Sequence, residues 1–194
     1  MIYTYIDVET TDLYPKKSSI FQLSGFIKSP AGYDEFNIKM RPYKGETITE
    51  GASERTGKLQ EELITYPDQS LGYEEFMSIM HKHNPNPSYT YRSFFIGYNS
   101  SFDCDFVRDW FLFNNNPDFT KYFYFPPIDV MHIANFALIG ERQYLKNFQL
   151  STVYKYLTGE ALTDAHDAMA DIKATKRILD ICTSRLVNFG SEPA

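Results

Sequence analysis

The stretch YIDVETTDL, residues 5–13, places two carboxylates in what otherwise reads as the first core strand of the protein. Residues 2–9 alternate with a period of two, so Asp7 and Glu9 project from the same face of this strand. Side chains two residues apart on a strand lie roughly 6 to 7 Å apart, close enough to repel when ionised and to share a cation. The pattern therefore leaves two alternatives, a solvated strand end or a metal site.

The composition is that of one ordinary globular domain. The chain has 194 residues, of which 43% are hydrophobic, and this is enough to bury a full core. No basic or apolar leader precedes the first strand, and no stretch approaches about 18 uninterrupted apolar residues, so we expect a cytoplasmic protein with no membrane partner. Cys104 and Cys182 lie in apolar helical patterns, which predicts two buried free thiols.

The charge of the chain limits how it can bind nucleic acid. A net charge of -6 argues against broad, sequence-independent gripping, which needs clustered Lys and Arg. It does not exclude an enzyme that holds only a chain end. Part of the negative charge is explained if a divalent cation neutralises a cluster of carboxylates during use.

The hydrophobic pattern predicts an α/β fold with a mixed sheet. The expected strands cover 2–9, 18–29, 33–42, 92–99 and the beginning of 128–139. The expected helices cover 70–83, a segment from about 100, the rest of 128–139, 145–157 and about 165–182. Residues 47–64 read as a loop with a short helix near its end, and the expected N-caps are Ser70 and either Ser100 or Ser101. Three early strands followed by alternating strands and helices indicate an antiparallel meander joined to parallel strands.

The final helix carries one acid on its core-facing side. Ala168, Ile172 and Leu179 belong to its buried stripe, and Asp171 falls about 60 degrees from Ala168 on an ideal helix. A buried, unpaired carboxylate costs several kcal/mol, so such a group is normally paired or bound to a metal. Asp171 is therefore a second candidate ligand position.

Two further residues join the candidate site by their place in the chain. Asp103 opens a helix after the buried strand that ends at Tyr98, at the edge where open α/β sheets bind ligands. Taken alone, Asp103 is better explained as a first-turn acid that favours the helix dipole. His166 precedes Asp171 by five residues, about 140 degrees away on an ideal helix. The two share a site only if His166 lies in the first turn or in the preceding loop.

Three motifs in this order resemble the DEDDh branch of the DnaQ-like 3'-5' exonucleases. The first, DVETT at 7–11, is similar to the family motif Asp-x-Glu-Thr-Thr-Gly, with Asp12 in place of the glycine. The second, GYNSSFDCDF at 97–106, resembles the family's Asn before Phe-Asp at a helix start. The third, HDAMAD at 166–171, resembles His-x4-Asp. The resemblance covers nearly the whole chain.

The resemblance implies a fold and a domain organisation. The fold is an RNase H-like mixed β-sheet, with three antiparallel strands and then parallel strands, flanked by α-helices. The exonuclease domain would cover residues 1–183, and 184–194 would form a short C-terminal tail. Asp12 is the main departure from the motif, because it adds an anion near the substrate pocket. Aspartate tolerates a positive φ better than most non-glycine residues, so the turn can survive.

The resemblance also implies the roles of the candidate residues. Two Mg²⁺ or Mn²⁺ ions would be held by four carboxylates, those of Asp7, Glu9, Asp103 and Asp171. Hard cations prefer such oxygen ligands, and the lack of nearby thiolates disfavours zinc. His166 would act as the general base. The residues expected to bind the substrate are Thr10, Leu13, Asn99 and Phe102.

The implied function is a metal-dependent 3'-5' exonuclease that releases nucleoside monophosphates from the 3' end of single-stranded DNA or RNA. No residue separates the two substrates, so an RNA-specific trimming enzyme similar to RNase T or oligoribonuclease stays open. A non-catalytic nucleic-acid-binding module on the same fold is the alternative from another class, and the presence of all ligand positions and of His166 disfavours it. Partners beyond the nucleic acid are also left open, including a homodimer and a polymerase-associated subunit.

Overall fold

The computed structural model of the protein contains one five-stranded sheet between two layers of helices. The structure describes residues 1–162 and 168–189. The strands are β1 (Ile2–Thr10), β2 (Ile20–Ser29), β3 (Gly32–Lys39), β4 (Ser93–Gly97) and β5 (Ile128–Asp129). The helices are α1 (Glu50–Thr56), α2 (Gln60–Leu63), α3 (Gln69–His83), α4 (Ser100–Phe113), α5 (Phe119–Tyr122), α6 (Val130–Ala137), α7 (Leu150–Thr158) and α8 (Ala168–Phe189).

The sheet is mixed, which confirms the predicted fold class. Its strand order is β3-β2-β1-β4-β5, so β1 is central. β1, β2 and β3 form an antiparallel meander, whereas β4 runs parallel to β1 and β5 runs parallel to β4. The pairing of β4 with β1 extends from Ile2 to Tyr5. The second half of β1 therefore extends beyond β4 at the end of the sheet.

The alternation along β1 assigns its side chains to two separate cores. Ile6 and Val8 are buried against side chains of α3 and α4 on one face of the sheet. Tyr5 is buried on the other face, among side chains of α6, α7 and α8. By the same alternation Asp7 and Glu9 continue along the Tyr5 face. The two carboxylates therefore point to the side of the sheet on which α8 packs.

Two helix caps differ from the predicted ones. The N-cap of α3 is Asp68, whose carboxylate accepts the backbone N–H of Ser70 at 3.1 Å. A carboxylate two residues earlier takes the role that the sequence suggested for Ser70. The N-cap of α4 is Asn99, with φ 61°, rather than Ser100 or Ser101. The chain leaves β4 through a left-handed residue, and asparagine adopts that conformation at lower cost than most residues.

Residues 47–64 contain two short helices, α1 and α2, instead of the single one predicted. Thr49 caps α1, since its hydroxyl accepts the N–H of Ala52 at 3.4 Å. Gly57 ends the helix in the left-handed conformation, with φ 68°. This conformation is the usual reason for a glycine at the end of a helix. Both boundaries of α1 are thus set by local backbone chemistry.

The last helix is longer than predicted. α8 extends to Phe189, past the end predicted near 182, and its predicted beginning near 165 lies outside the described residues. The two cysteines are buried and free, as predicted. None of the helices in the described part of the chain is long and apolar enough to cross a membrane. The division into a domain over 1–183 and a tail over 184–194 stays a prediction.

Candidate active site

Asp7 and Glu9 lie near the C-terminal end of β1. Asp7 is partly buried, and Glu9 is 9% exposed. Both line one cavity of about 240 Å³ at the end of the sheet. The prediction that they share a face is therefore confirmed, and the face is that of a concave, largely buried site.

Asp103 reaches the same cavity from the first turn of α4. Its side chain is buried, and its Oδ1 accepts the backbone N–H of Val8 at 3.0 Å. Val8 lies beyond Tyr5, where the pairing of β4 with β1 ends, so its N–H can donate to a side chain. The hydrogen bond fixes the Asp103 carboxylate against the strand that carries Asp7 and Glu9.

Asp129 positions the turn that leads to Asp103, and sequence analysis did not select it. It ends β5, and its Oδ1 accepts two backbone N–H groups, that of Met131 at 2.9 Å and that of Asn99 at 3.1 Å. The first bond caps α6, and the second holds the left-handed residue before α4. The available signal was an acid at a strand end directly before a helix, which is a typical N-cap position.

Asp171 lies in the first turn of α8 and lines the same cavity. Its angular position on the helix agrees with the predicted core-facing side, because α8 packs on β1 and β2. Four carboxylates from three separate elements of the fold therefore meet around one cavity. The predicted base, His166, lies outside the described residues.

The substrate residues of the prediction surround this cavity and a neighbouring one. Leu13, Asn99 and Phe102 line the carboxylate cavity, together with Arg55 and Tyr98. The adjoining cavity has a volume of about 270 Å³, and the residues that line only this one are Thr10, Asp12, Thr49, Gly51, Ala52 and Thr56. The residues that line both cavities are Val8, Glu9, Leu13, Arg55 and Phe102. The two cavities are thus halves of one cleft.

The departure from the motif at Asp12 costs no backbone strain. The non-glycine residues with positive φ in the described chain are Asn99 and Asn115, so Asp12 does not need the conformation that glycine favours. Its Oδ1 accepts the N–H of Leu13 at 2.7 Å, and its carbonyl accepts the hydroxyl of Thr10 at 2.7 Å. The aspartate therefore organises its own turn and places an anion on the wall of the 270 Å³ cavity.

Burial and the neighbouring acids favour the protonated forms of Asp7 and Asp103 in the absence of a cation. Burial, followed by the charges of Asp103, Glu9 and Asp171, raises the pKa of Asp7 well above its ordinary value, and Arg55 opposes the shift. Burial also raises the pKa of Asp103 to about 8, against the hydrogen bond from Val8. Such shifts arise where like charges are confined with little water. The site therefore favours any ligand that brings positive charge.

These shifts predict how stability depends on pH when metal is removed. A carboxyl whose pKa is raised by folding binds more protons in the folded state, so stability decreases as pH rises from the unfolded pKa of about 4 towards about 8. With EDTA present, we expect the melting temperature to decrease between pH 5 and pH 8. Asp103→Asn should reduce this decrease, and Mg²⁺ should raise the melting temperature most at pH 8. If the melting temperatures of the wild type and Asp103→Asn decreased equally with pH, the Asp103 carboxyl would not be a cause of the decrease.

The donor set fits a hard divalent cation. Its four carboxylates offer oxygen ligands, and none of the described residues that line the cavity carries sulfur. Within 1–162 and 168–189, no three His, Cys, Asp or Glu side chains already stand together as a metal-holding group. A bound cation would offset the repulsion among these acids.

Comparison with known proteins gives a family and a fold. A protein-family model of the RNase T type, described as Exonuclease, matches residues 4–179. The structure of E. coli exonuclease I in complex with a dT13 oligonucleotide is 21% identical, with a TM-score of 0.69 over 96% of this chain and 41% of that chain. No curated protein sequence matches.

Two further exonuclease I structures show the same likeness. The zinc-bound form of the E. coli exonuclease I complex with single-stranded DNA is 21% identical, with a TM-score of 0.71 over 98% of this chain and 41% of that chain. A product-bound exonuclease I is 19% identical, with a TM-score of 0.72 over 96% and 44%. The chain thus spans about two fifths of the length of these proteins. Their likeness confirms the RNase H-like fold.

Proposed function

The chain belongs to the RNase T-type exonuclease family, and on this premise we propose that it removes nucleoside monophosphates from the 3' end of single-stranded nucleic acid with the help of divalent metal ions. The observation that carries the proposal is the convergence of four carboxylates on one cavity, from β1, α4 and α8. Burial and neighbouring acids raise the pKa of Asp7 and that of Asp103, and a structural role does not require such an arrangement.

The four carboxylates would bind two Mg²⁺ or Mn²⁺ ions through their oxygens. Bound in a pair, such ions activate water and stabilise the charge on the attacking and leaving oxygens of an in-line displacement. The chain supplies the positions of the ligands. The hydrogen bond from Val8 orients Asp103, and the bond from Asn99 to Asp129 holds the turn before it.

His166 is the proposed general base, which takes a proton from the attacking water. A positioned histidine suits this role because its neutral form predominates near pH 7. Support comes from its spacing to Asp171, since Asp171 follows five residues later and lines the carboxylate cavity.

The 270 Å³ cavity would receive the terminal nucleoside. Phe102 and Leu13 offer apolar surface against which a base can stack, and Leu13 is 57% exposed at the junction with the carboxylate cavity. Thr10 lines this cavity, and Asn99 lines the other. A nucleoside in the 270 Å³ cavity would place its 5' phosphate near the carboxylates.

Single-stranded DNA is the substrate we propose first. The structurally similar exonuclease I forms a complex with a dT13 oligonucleotide, which supports this choice. A direct test incubates labelled single-stranded DNA and a matched RNA with Mg²⁺ or with EDTA. We expect loss of one nucleotide at a time from the 3' end of the DNA, only with metal. Cleavage of RNA alone would favour the RNA-trimming alternative, and binding without cleavage would favour a non-catalytic module.

The same digestion measures how firmly the protein holds a strand. Because the net charge is -6, we expect weak electrostatic contact with the nucleic acid beyond the cleft, and hence frequent dissociation. With substrate in excess, the products should form a ladder, and the rate should change little with salt. Complete digestion of some strands while others stay intact would contradict this expectation and require an extended basic surface.

A further inference from the structure

Arg55 brings a positive charge into a cleft that is otherwise acidic. It is exposed on α1 and lines both the carboxylate cavity and the 270 Å³ cavity. With the residues that the structure describes, its guanidinium forms neither a hydrogen bond nor an ion pair. A guanidinium has five N–H donors, so this group is available to a ligand that enters the cleft.

The helix that carries Arg55 is anchored to the strand that carries Asp7 and Glu9. Thr49, the N-cap of α1, donates its backbone N–H to the carbonyl of Thr11 at 2.9 Å and its hydroxyl to the same carbonyl at 3.1 Å. Thr11 directly follows the last residue of β1, the strand that carries Asp7 and Glu9. The helix is therefore anchored to the end of the strand, and Arg55 faces the cleft from this anchored helix.

Arg55 and the carboxylates act on each other electrostatically. Three acids raise the pKa of Asp7, and Arg55 is the group that lowers it. Both residues line the carboxylate cavity, although they form no ion pair. An arginine that is close to acids but not bonded to one can still bind an anion that arrives between the two cavities.

We propose that Arg55 binds the scissile phosphate of the substrate, the phosphate that leaves as part of the nucleoside monophosphate. This rests on the proposed exonuclease function. The residues shared by the two cavities mark the junction between the nucleoside and the carboxylates, and Arg55 is the cation among them. Its planar fork can donate two parallel N–H groups to the non-bridging oxygens of a phosphate. The guanidinium also offsets one negative charge of the cleft, and it does so without pairing with a carboxylate that would hold metal.

The test measures binding of the product, which is not cleaved further. Thymidine 5'-monophosphate and thymidine are titrated in Mg²⁺ into the wild type and the variants Arg55→Ala and Arg55→Lys. We expect Arg55→Ala to weaken binding of the monophosphate about 10- to 100-fold and to leave thymidine unchanged. The affinity of Arg55→Lys for the monophosphate should lie between those of the wild type and Arg55→Ala, because an ammonium cannot form the bidentate contact.

Arg185→Ala is the matched control, since it removes a positive charge from α8 at a site where Arg185 binds Glu141 at 2.8 Å. It should bind the monophosphate as the wild type does. The rise in melting temperature with Mg²⁺ should also persist in Arg55→Ala, which shows that the metal site is intact.

Three results would overturn the assignment of Arg55. Monophosphate binding that is unchanged in Arg55→Ala would exclude a phosphate contact. An equal loss for thymidine would mean that Arg55 shapes the nucleoside cavity instead. A loss seen only with the dinucleotide pTpT, titrated in EDTA so that it is not cleaved, would place the contact on the phosphate upstream of the scissile one. Failure of the proposed function is distinct, because the wild type would then cleave neither DNA nor RNA.

Discussion

Asp7→Ala is expected to lower the rate of cleavage by roughly 10³-fold or more. Asp7 lies on the central strand among three other acids, all of which line the same cavity. Its proposed role is to bind metal, and metal ions contribute several kcal/mol of transition-state stabilisation, at about 1.4 kcal/mol for each factor of ten. Rates on single-stranded DNA with saturating Mg²⁺ would measure the loss.

The same substitution should leave the protein folded. In the absence of metal, the raised pKa of Asp7 means that its charged form destabilises the fold, so alanine relieves repulsion among the remaining carboxylates. With EDTA at pH 8, we expect the variant to melt at or above the wild-type temperature. The increase on adding Mg²⁺ should be smaller than in the wild type.

Asp105→Ala is the matched control for Asp7→Ala. Asp105 lies on α4 close to Asp103, but its carboxylate binds Arg108 at 2.7 Å and is 48% exposed. Its loss should change neither cleavage nor the response to Mg²⁺. Full activity of Asp7→Ala would remove this residue from the site and with it the proposed role of the cluster.

His166→Ala is expected to lower turnover by roughly 10²- to 10⁴-fold, the usual contribution of a positioned general base. The neutral imidazole is the form that accepts a proton, so the wild-type rate should rise with pH through the range near 6.5 and then level off. This rise should disappear in the variant. Initial rates between pH 5.5 and 8.5 would record both changes.

The stabilisation by Mg²⁺ shows whether His166 acts as a general base or as a metal ligand. If His166 accepts a proton but holds no metal, Mg²⁺ should stabilise His166→Ala as much as the wild type. His81→Ala is a suitable control, because His81 is exposed on α3 and pairs with the hydroxyl of Tyr122 at 3.0 Å. Wild-type turnover and an unchanged pH profile in His166→Ala would exclude the histidine as the base.

The elements of the fold were accessible from the sequence because they follow from local periodicity. Alternation along residues 2–9 identified the first strand and the shared face of Asp7 and Glu9, which the structure confirms. Helical spacing likewise placed Asp171 on the side of α8 that packs on the sheet. Both patterns arise from the geometry of a single segment, and no distant contact is needed to read them.

The caps and the positioning residues were not accessible in the same way. The N-cap of α4 is Asn99 and not the predicted serine, because the turn after β4 requires a left-handed residue. Asp129, which belongs to a different strand, holds this residue. Arg55 belongs to a segment without strong periodicity. Its relevance depends on the contact between Thr49 and Thr11, which joins two parts of the chain far apart in sequence.

The sequence by itself determined the mixed α/β class, the buried thiols and the candidate ligands, because burial patterns and residue chemistry are properties of each segment. The tertiary structure decided which of these segments meet. β1 continues beyond β4, and this leaves the N–H of Val8 for Asp103. Packing of α8 on the sheet then brings Asp171 to the same cavity. Convergence of charges from separate elements depends on long-range packing, and no local pattern of residues encodes it.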